Sequence, residues 1–244
     1  MNQNKPKSIY VLPNLFTTGN LFCGFYSIIA SINGRYEIAA IAILIANIFD
    51  IADGKVARIT NTTSKFGVEY DSLCDLISFG VAPSLLIYCW ALKPFGKFGW
   101  IASFLFTACG ALRLARFNVM VSVSEKGRFT GLPIPGAASM IATTVLLMFH
   151  IGRSVIDRNI VILFEVYTLS FLMVSNIKYI SFKEMGFITQ KPLKFLFLLI
   201  LVLLVVVMEP QISLCVLMGT YTAAGPLETF YNKIFRRKRI GGNG

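Results

Sequence analysis

Long apolar stretches separated by short polar segments make up most of the chain from about residue 14 onward. Each of eight stretches approaches the roughly 20 residues that a helix needs to cross the hydrocarbon core of a bilayer. We therefore predict an all-α fold, a polytopic membrane helix bundle with about eight transmembrane helices. The predicted spans are 14–33, 36–54, 69–92, 98–121, 133–152, 159–177, 194–209 and 210–231. The boundary between the last two spans is the least defined, because only three residues separate them.

Composition and charge support a membrane protein. Hydrophobic residues make up 55% of the chain and charged residues only 14%, against about 25% charged in typical soluble domains. With a cytoplasmic N-terminus, the eight spans place all but five of the 23 Lys and Arg residues on the cytoplasmic side, as the positive-inside rule expects. The net charge of +11 then reflects contact with anionic membrane lipids. We do not expect nucleic-acid binding.

Four aspartates interrupt this apolar pattern at the end of the second span and near the start of the third. A carboxylate at mid-bilayer depth costs roughly 2.5–3.5 kcal/mol on insertion scales, which makes intramembrane acids functional-site candidates. Asp50 and Asp53 are three residues apart, and Asp71 and Asp75 are four apart, so each pair shares one face of a helix. Two such helix ends facing each other offer hard oxygen ligands, which Mg²⁺, Ca²⁺ and Mn²⁺ prefer.

The aspartates belong to a longer pattern of specified residues. It reads Asp50-x-x-Asp53-Gly54-x-x-Ala57-Arg58, then eight residues, then Gly67-x-x-x-Asp71-x-x-x-Asp75. Eight specified positions match by chance on the order of once in 10¹⁰ starting points. This pattern resembles the full signature of the CDP-alcohol phosphotransferases, integral membrane enzymes that transfer a phosphatidyl or related group from a CDP-linked donor to an alcohol. The resemblance implies a six-helix core in residues 1–180, with two additional helices and a basic tail in residues 181–244.

Four further segments narrow the resemblance to one branch of that family. They are PNLFTTGNLFCGF (13–25), GVEYDSLCDLISFGVAP (67–83), ALRLARFNV (111–119) and FTGLPIPGAA (129–138). Together they resemble the CDP-diacylglycerol–serine O-phosphatidyltransferases of bacteria and archaea. The resemblance implies transfer of the phosphatidyl group from CDP-diacylglycerol to L-serine with release of CMP. It also suggests a homodimer in a bacterial inner membrane, with the active site at the cytoplasmic face.

The expected chemistry assigns roles to the aspartates. Attack of a hydroxyl on a phosphoanhydride requires neutralisation of the diphosphate, and two divalent ions about 4 Å apart can clamp the attacking and leaving oxygens. We expect Asp50, Asp53 and Asp71 to bind divalent metal, Mg²⁺ or Mn²⁺, and we expect two ions. The resemblance implies that Asp75 is the general base toward the serine hydroxyl, and it is also a candidate ligand of the second metal.

The residues expected to bind the CDP donor surround the aspartates. Small residues on the aspartate-bearing helix faces let a nucleotide approach the backbone closely, and the guanidinium of Arg58 suits a phosphate oxygen. By resemblance, the cytidine site is lined by small residues of the signature, with polar contacts from Asp53 and the turn at 14–17. The predicted donor-binding residues are Asn14, Thr17, Asp53, Gly54, Ala57, Arg58 and Gly67.

The acceptor side is predicted from residues outside the signature. Arg113 and Arg116 are three residues apart near the cytoplasmic end of the fourth span, with Asn118 just beyond. A guanidinium can bind the serine carboxylate in a bidentate manner, although membrane orientation alone also accounts for these arginines. Glu69, a candidate partner of the serine ammonium group, and Ser78 complete the predicted acceptor residues.

Two alternatives remain open at this stage. The same fold and reaction accept other alcohols, and glycerol 3-phosphate, inositol or inositol phosphate would replace serine. A cation transporter could use the same acids as an ion path, but it leaves Gly54, Ala57, Arg58 and Gly67 unexplained at their spacing.

Overall fold

Every element in the described part of the chain is helical. The computed structural model describes residues 11–60, 64–121, 131–152, 158–177, 179 and 208–240, without the side chains of 11–13, 57–58, 120–121 and 230–240. The helices are α1 (Val11–Ile32), α2 (Tyr36–Thr60), α3 (Lys65–Asp75), α4 (Ala82–Ile87), α5 (Lys97–Val121), α6 (Ile134–His150), α7 (Ile160–Val174) and α8 (Pro210–Ile240). The predicted all-α class is thus confirmed for these residues.

Residues Lys65–Phe95 form one continuous helical rod that includes α3 and α4. The rod changes from α-helix to π-helix at two places. A π-helical segment, Leu76–Val81, joins α3 to α4, and a second one, Tyr88–Leu92, follows α4 and leads into the 3₁₀ turn Lys93–Phe95. Such wide turns are rare and frequently accompany functional sites. The first one begins directly after Asp75. Pro83, which has no main-chain N–H to donate, lies in the first turn of α4.

Small residues allow α1 and α2 to pack along each other, the most extensive helix pair among the described elements. Ala39, Ala40 and Ala46 of α2 are fully buried, and the hydroxyl of Ser27 on α1 donates to the Ala39 carbonyl at 2.9 Å. Close approach through small residues and interhelical hydroxyl bonds is the usual way in which helices associate inside a membrane. This pair fixes the distance between the first helix and the helix that carries Asp50 and Asp53.

The outer surface of the bundle is apolar. Three helical stretches of the described residues are long and apolar enough to cross a membrane, namely Asn14–Ile32, Lys65–Phe95 and Lys97–Val119, and the shorter α6 and α7 are also apolar. Large side chains such as Phe22, Phe104 and Phe164 are more than 60% exposed, which lipid tolerates and water does not. The protein is therefore an integral membrane protein.

The predicted eight spans match the structure where it describes them. The first six spans coincide with helices, and the eighth lies within α8. Most of the seventh span, 194–209, lies outside the described residues. The number of eight transmembrane helices therefore stays a prediction.

Candidate active site

Helices α2 and α3 bring three of the four aspartates together. Carboxylate oxygens of Asp50, Asp53 and Asp71 lie within 4.8 Å of one another. Asp53 is buried, at 5% exposure, and one oxygen of Asp71 is buried without a hydrogen-bond partner among the described residues. A buried carboxylate oxygen that lacks a donor is costly unless a cation or donor occupies it. The set therefore fits a hard divalent cation.

Asp75 does not belong to this group of three, but it lies on the same face of α3 as Asp71. It is buried, at 8% exposure, one helical turn beyond Asp71. The electrostatic field of Asp75 acts on both Asp50 and Asp71. The site thus contains three clustered carboxylates and a fourth that is close to them and separately held.

Helix α1 forms the third wall of the site. The Thr17 hydroxyl donates to Oδ2 of Asp53 at 3.0 Å, and the side-chain amide of Asn20 donates to Oδ1 of Asp75 at 2.9 Å. Thr17 and Asn20 are three residues apart, so both lie on the helix face directed at the acids. The two hydrogen bonds fix the orientation of one carboxylate from each acidic pair.

The start of α3 and the start of α1 meet beside the site. The Ser64 hydroxyl caps α3 by accepting from the Gly67 N–H at 3.0 Å, as serine commonly does at a helix N-terminus. A Cβ at Gly67 would lie 3.2 Å from the Ser64 hydroxyl and 3.7 Å from Oδ1 of Asn14. Two predicted donor-binding residues, Asn14 and Gly67, are therefore adjacent.

Gly54 of α2 faces open space. A Cβ built at this position meets no atom of the described structure within 4 Å. Nothing in the packing of the chain therefore requires glycine here, whereas a ligand that approaches the backbone closely would. The side chains of Ala57 and Arg58, also predicted to bind the donor, lie outside those described.

Two of the predicted acceptor residues make contacts with other helices or segments. The Arg116 guanidinium donates to Oδ1 of Asn176 at 2.8 Å, and the Asn118 amide donates to the Ser72 hydroxyl on α3 at 3.0 Å. Both contacts hold the end of α5 in place. Neither contact uses all the N–H donors of its side chain, because a guanidinium carries five N–H groups and a side-chain amide carries two.

Arg113 differs from these two residues. It is half-buried, and its Nε atom is fully buried with no hydrogen-bond partner among the described residues. A buried guanidinium N–H without an acceptor is expensive, which points to an anionic ligand at this arginine.

Glu69 and Ser78, the remaining predicted acceptor residues, lie in different surroundings. Glu69 is exposed on α3. Ser78 is fully buried in the π-helical segment, and its hydroxyl donates to the main-chain carbonyl of Asn20 at 3.0 Å. Ser78 therefore connects the rod to α1 next to the Asn20–Asp75 hydrogen bond.

The sequence prediction missed Asn20. This residue carried a readable signal, because it is polar within an apolar span and shares a helix face with Thr17.

Comparisons with known proteins agree with this geometry. The family model for the CDP-alcohol phosphatidyltransferases matches residues 10–171. The chain is 41% identical over 219 residues to the CDP-diacylglycerol–serine O-phosphatidyltransferase of Helicobacter pylori, covering 89% of this chain and 90% of that one. It is 40% identical to the archaetidylserine synthase of Methanothermobacter thermautotrophicus, over 76% of each chain. With the Bacillus subtilis CDP-diacylglycerol–serine O-phosphatidyltransferase the identity is 35%, over 71% of this chain and 92% of that one. The four aspartates that α2 and α3 bring to one place thus lie within the matched region, and the chain belongs to the CDP-alcohol phosphatidyltransferase family.

Proposed function

We propose that the protein is a CDP-diacylglycerol–serine O-phosphatidyltransferase, which makes phosphatidylserine and CMP from CDP-diacylglycerol and L-serine. The observation that carries the proposal is the cluster of Asp50, Asp53 and Asp71 beside Asp75 in a chain whose family transfers phosphatidyl groups. The relatives from Helicobacter pylori and Bacillus subtilis are CDP-diacylglycerol–serine O-phosphatidyltransferases, which supports serine as the acceptor.

The donor lies at the α2–α3 side of the site. Asp50, Asp53 and Asp71 would hold divalent metal, Mg²⁺ or Mn²⁺, with Asp75 as a further candidate ligand. When bound, the metal neutralises the diphosphate and the charge that develops on the leaving CMP. The open space at Gly54 accommodates the nucleotide, and Asn14 and Gly67 flank it. Thr17 holds Asp53 in the orientation that its ligand role requires.

Asp75 acts on the acceptor. The serine hydroxyl oxygen forms a new bond to the phosphorus of the phosphatidyl group, and the anhydride P–O bond to CMP breaks. The hydroxyl proton passes to the Asp75 carboxylate. Asn20 donates to one oxygen of that carboxylate and so leaves the other oxygen to receive the proton.

Arg113 binds the carboxylate of serine. Its buried Nε lacks an acceptor among the described residues. A planar guanidinium recognises a carboxylate through two parallel N–H···O bonds. Arg116 and Asn118 hold the end of α5 from which Arg113 projects. Inositol carries no anionic group, so this contact favours serine over inositol. A guanidinium also binds the phosphate of glycerol 3-phosphate or inositol phosphate, and against these acceptors it is the activity of the relatives that supports serine.

The site faces the cytoplasm of a bacterial cell, where serine is dissolved. The excess of Lys and Arg in the segments on that side of the predicted spans supports this orientation. A homodimer is expected from the family resemblance.

An acceptor assay tests the proposal. Purified protein in detergent receives CDP-diacylglycerol, Mn²⁺ or Mg²⁺, and one acceptor at a time: serine, glycerol 3-phosphate or inositol. We expect CMP release that depends on serine and on metal. Asp75→Asn is the matched control, because it keeps the size of the side chain and removes the base. CMP release with glycerol 3-phosphate or inositol in place of serine would contradict the acceptor assignment, and its absence with all three would contradict the donor.

A further inference from the structure

A hydrogen bond joins α1 to α3 beside the residues expected to bind the donor. The hydroxyl oxygens of Thr18 and Tyr70 are 3.0 Å apart. Because the Thr18 hydroxyl gives its one hydrogen to the main-chain carbonyl of Asn14 at 2.7 Å, the Tyr70 phenol is the donor of this bond. Thr18 follows Thr17 in the chain, and Tyr70 precedes Asp71. Neighbouring residues of a helix point about 100° apart, so the bond lies next to the site.

The Tyr70 ring is held by Phe66, one turn earlier on α3. The two rings are nearly parallel, with centroids 5.9 Å apart and an angle of 8° between their planes. Aromatic side chains four residues apart on a helix stabilise each other in this way. Phe66 is 70% exposed, so the stack lies on the outer surface of the bundle. The phenol that reaches Thr18 is therefore restrained by its own helix.

The bond acts at the end of α1 and α3 where two predicted nucleotide-binding residues meet. Asn14, whose carbonyl accepts from Thr18, has its side-chain oxygen 3.7 Å from the position of a Cβ on Gly67. Further along both helices, the Asn20 amide donates to Asp75 at 2.9 Å. The distance between α1 and α3 is therefore fixed by one hydrogen bond near the expected nucleotide and by another near the expected base.

We propose that Tyr70 is a positioning residue for the CDP-linked donor, and that its hydrogen bond to Thr18 fixes the distance between Asn14 and Gly67. The inference rests on the proposed function, because it assumes that these two residues flank the nucleotide. A tyrosine that only anchored α3 at the membrane surface, where this residue type is common, would act through its ring. Removal of the hydroxyl alone would then leave donor binding unchanged.

The test is the full-length Tyr70→Phe variant in detergent, with binding of CDP-diacylglycerol measured by calorimetric titration in the presence of Mn²⁺. We expect the Kd to rise about fivefold, as for the loss of one hydrogen bond between neutral groups. The KM for serine should stay within about twofold of wild type. The control is Tyr36→Phe, which removes a hydroxyl that donates to the Cys89 carbonyl at 3.2 Å. That control should leave both the Kd and the KM unchanged.

A double-mutant cycle with Thr18→Val separates action through Thr18 from an independent effect. Valine keeps the branched shape of threonine and removes the hydroxyl, so Tyr70→Phe should add little to the Kd in the Thr18→Val background. Full additivity would overturn the proposal. So would an unchanged Kd in Tyr70→Phe, or a serine KM that rises as much as the Kd together with a lowered melting temperature.

The binding measurement does not depend on turnover, so the two proposals can fail separately. Wild-type protein that binds CDP-diacylglycerol but releases no CMP with serine would refute the proposed acceptor, and the Kd values would still decide the role of Tyr70. Wild-type protein that does not bind CDP-diacylglycerol would overturn both proposals.

Discussion

Replacing Asn20 with leucine should remove the hydrogen bond that fixes the orientation of the Asp75 carboxylate. The Asn20 amide is fully buried and donates to Asp75 at 2.9 Å. A hydrogen bond to a charged group contributes about 1.5–3 kcal/mol, and each 1.4 kcal/mol is a factor of ten. If that contribution is made in the transition state, kcat should fall roughly ten- to hundredfold. Leucine has the same branching and the same number of side-chain heavy atoms as asparagine and creates no cavity, so the KM for CDP-diacylglycerol should change little.

The assay is steady-state CMP release at saturating metal, with the serine and donor concentrations varied separately. The matched control is Asn47→Leu, because the Asn47 amide also donates across helices at 2.9 Å, but to the neutral Ser139 hydroxyl. Both variants should lose comparable thermal stability, and only Asn20→Leu should lose kcat. A kcat within twofold of wild type in folded Asn20→Leu protein would refute the role given to this hydrogen bond.

Three further predictions address the metal, the nucleotide and the fold. Asp71→Asn should lower activity about a thousandfold, because metal ligation supplies several kcal/mol, and calorimetry should show weakened Mn²⁺ binding; retained turnover would contradict the ligand assignment. Gly54→Leu should raise the KM for CDP-diacylglycerol at least tenfold with no change in melting temperature, because a side chain there meets no protein atom within 4 Å; unchanged donor affinity would place the nucleotide elsewhere. Gly131→Ala should lower the melting temperature in detergent, since φ is +86° and the added Cβ would contact the Met173 carbonyl, a strain of about 1–3 kcal/mol. Gly34→Ala, also at positive φ but with open space around it, is the control that separates the contact from the backbone strain.

The acidic cluster could be predicted from the sequence because its spacing is local. Residues three or four apart share a helix face whatever the tertiary structure, and apolar stretches of about 20 residues identify membrane helices from length alone. These two regularities predicted the helical class and the shared helix face of each aspartate pair. The meeting of Asp50 and Asp53 with Asp71 was expected from the family signature, because local spacing does not relate one helix to another.

Other features depend on contacts between distant segments. The hydrogen bond between Asn20 and Asp75 joins residues 55 positions apart, and no periodicity within one helix encodes it. The π-helical segment Leu76–Val81 does not follow from propensity, because its composition suits an ordinary α-helix equally well.

Helix α1 precedes α2 and α3 in the chain, and this order has a consequence for biogenesis. Helices of a membrane protein enter the bilayer largely in the order in which the ribosome makes them. Thr17 and Asn20 therefore reach the membrane before Asp53 and Asp75, to which they donate. Helix α1 thus offers a hydrogen-bond donor to each of these two acids when it arrives, which lowers the cost of burying a carboxylate.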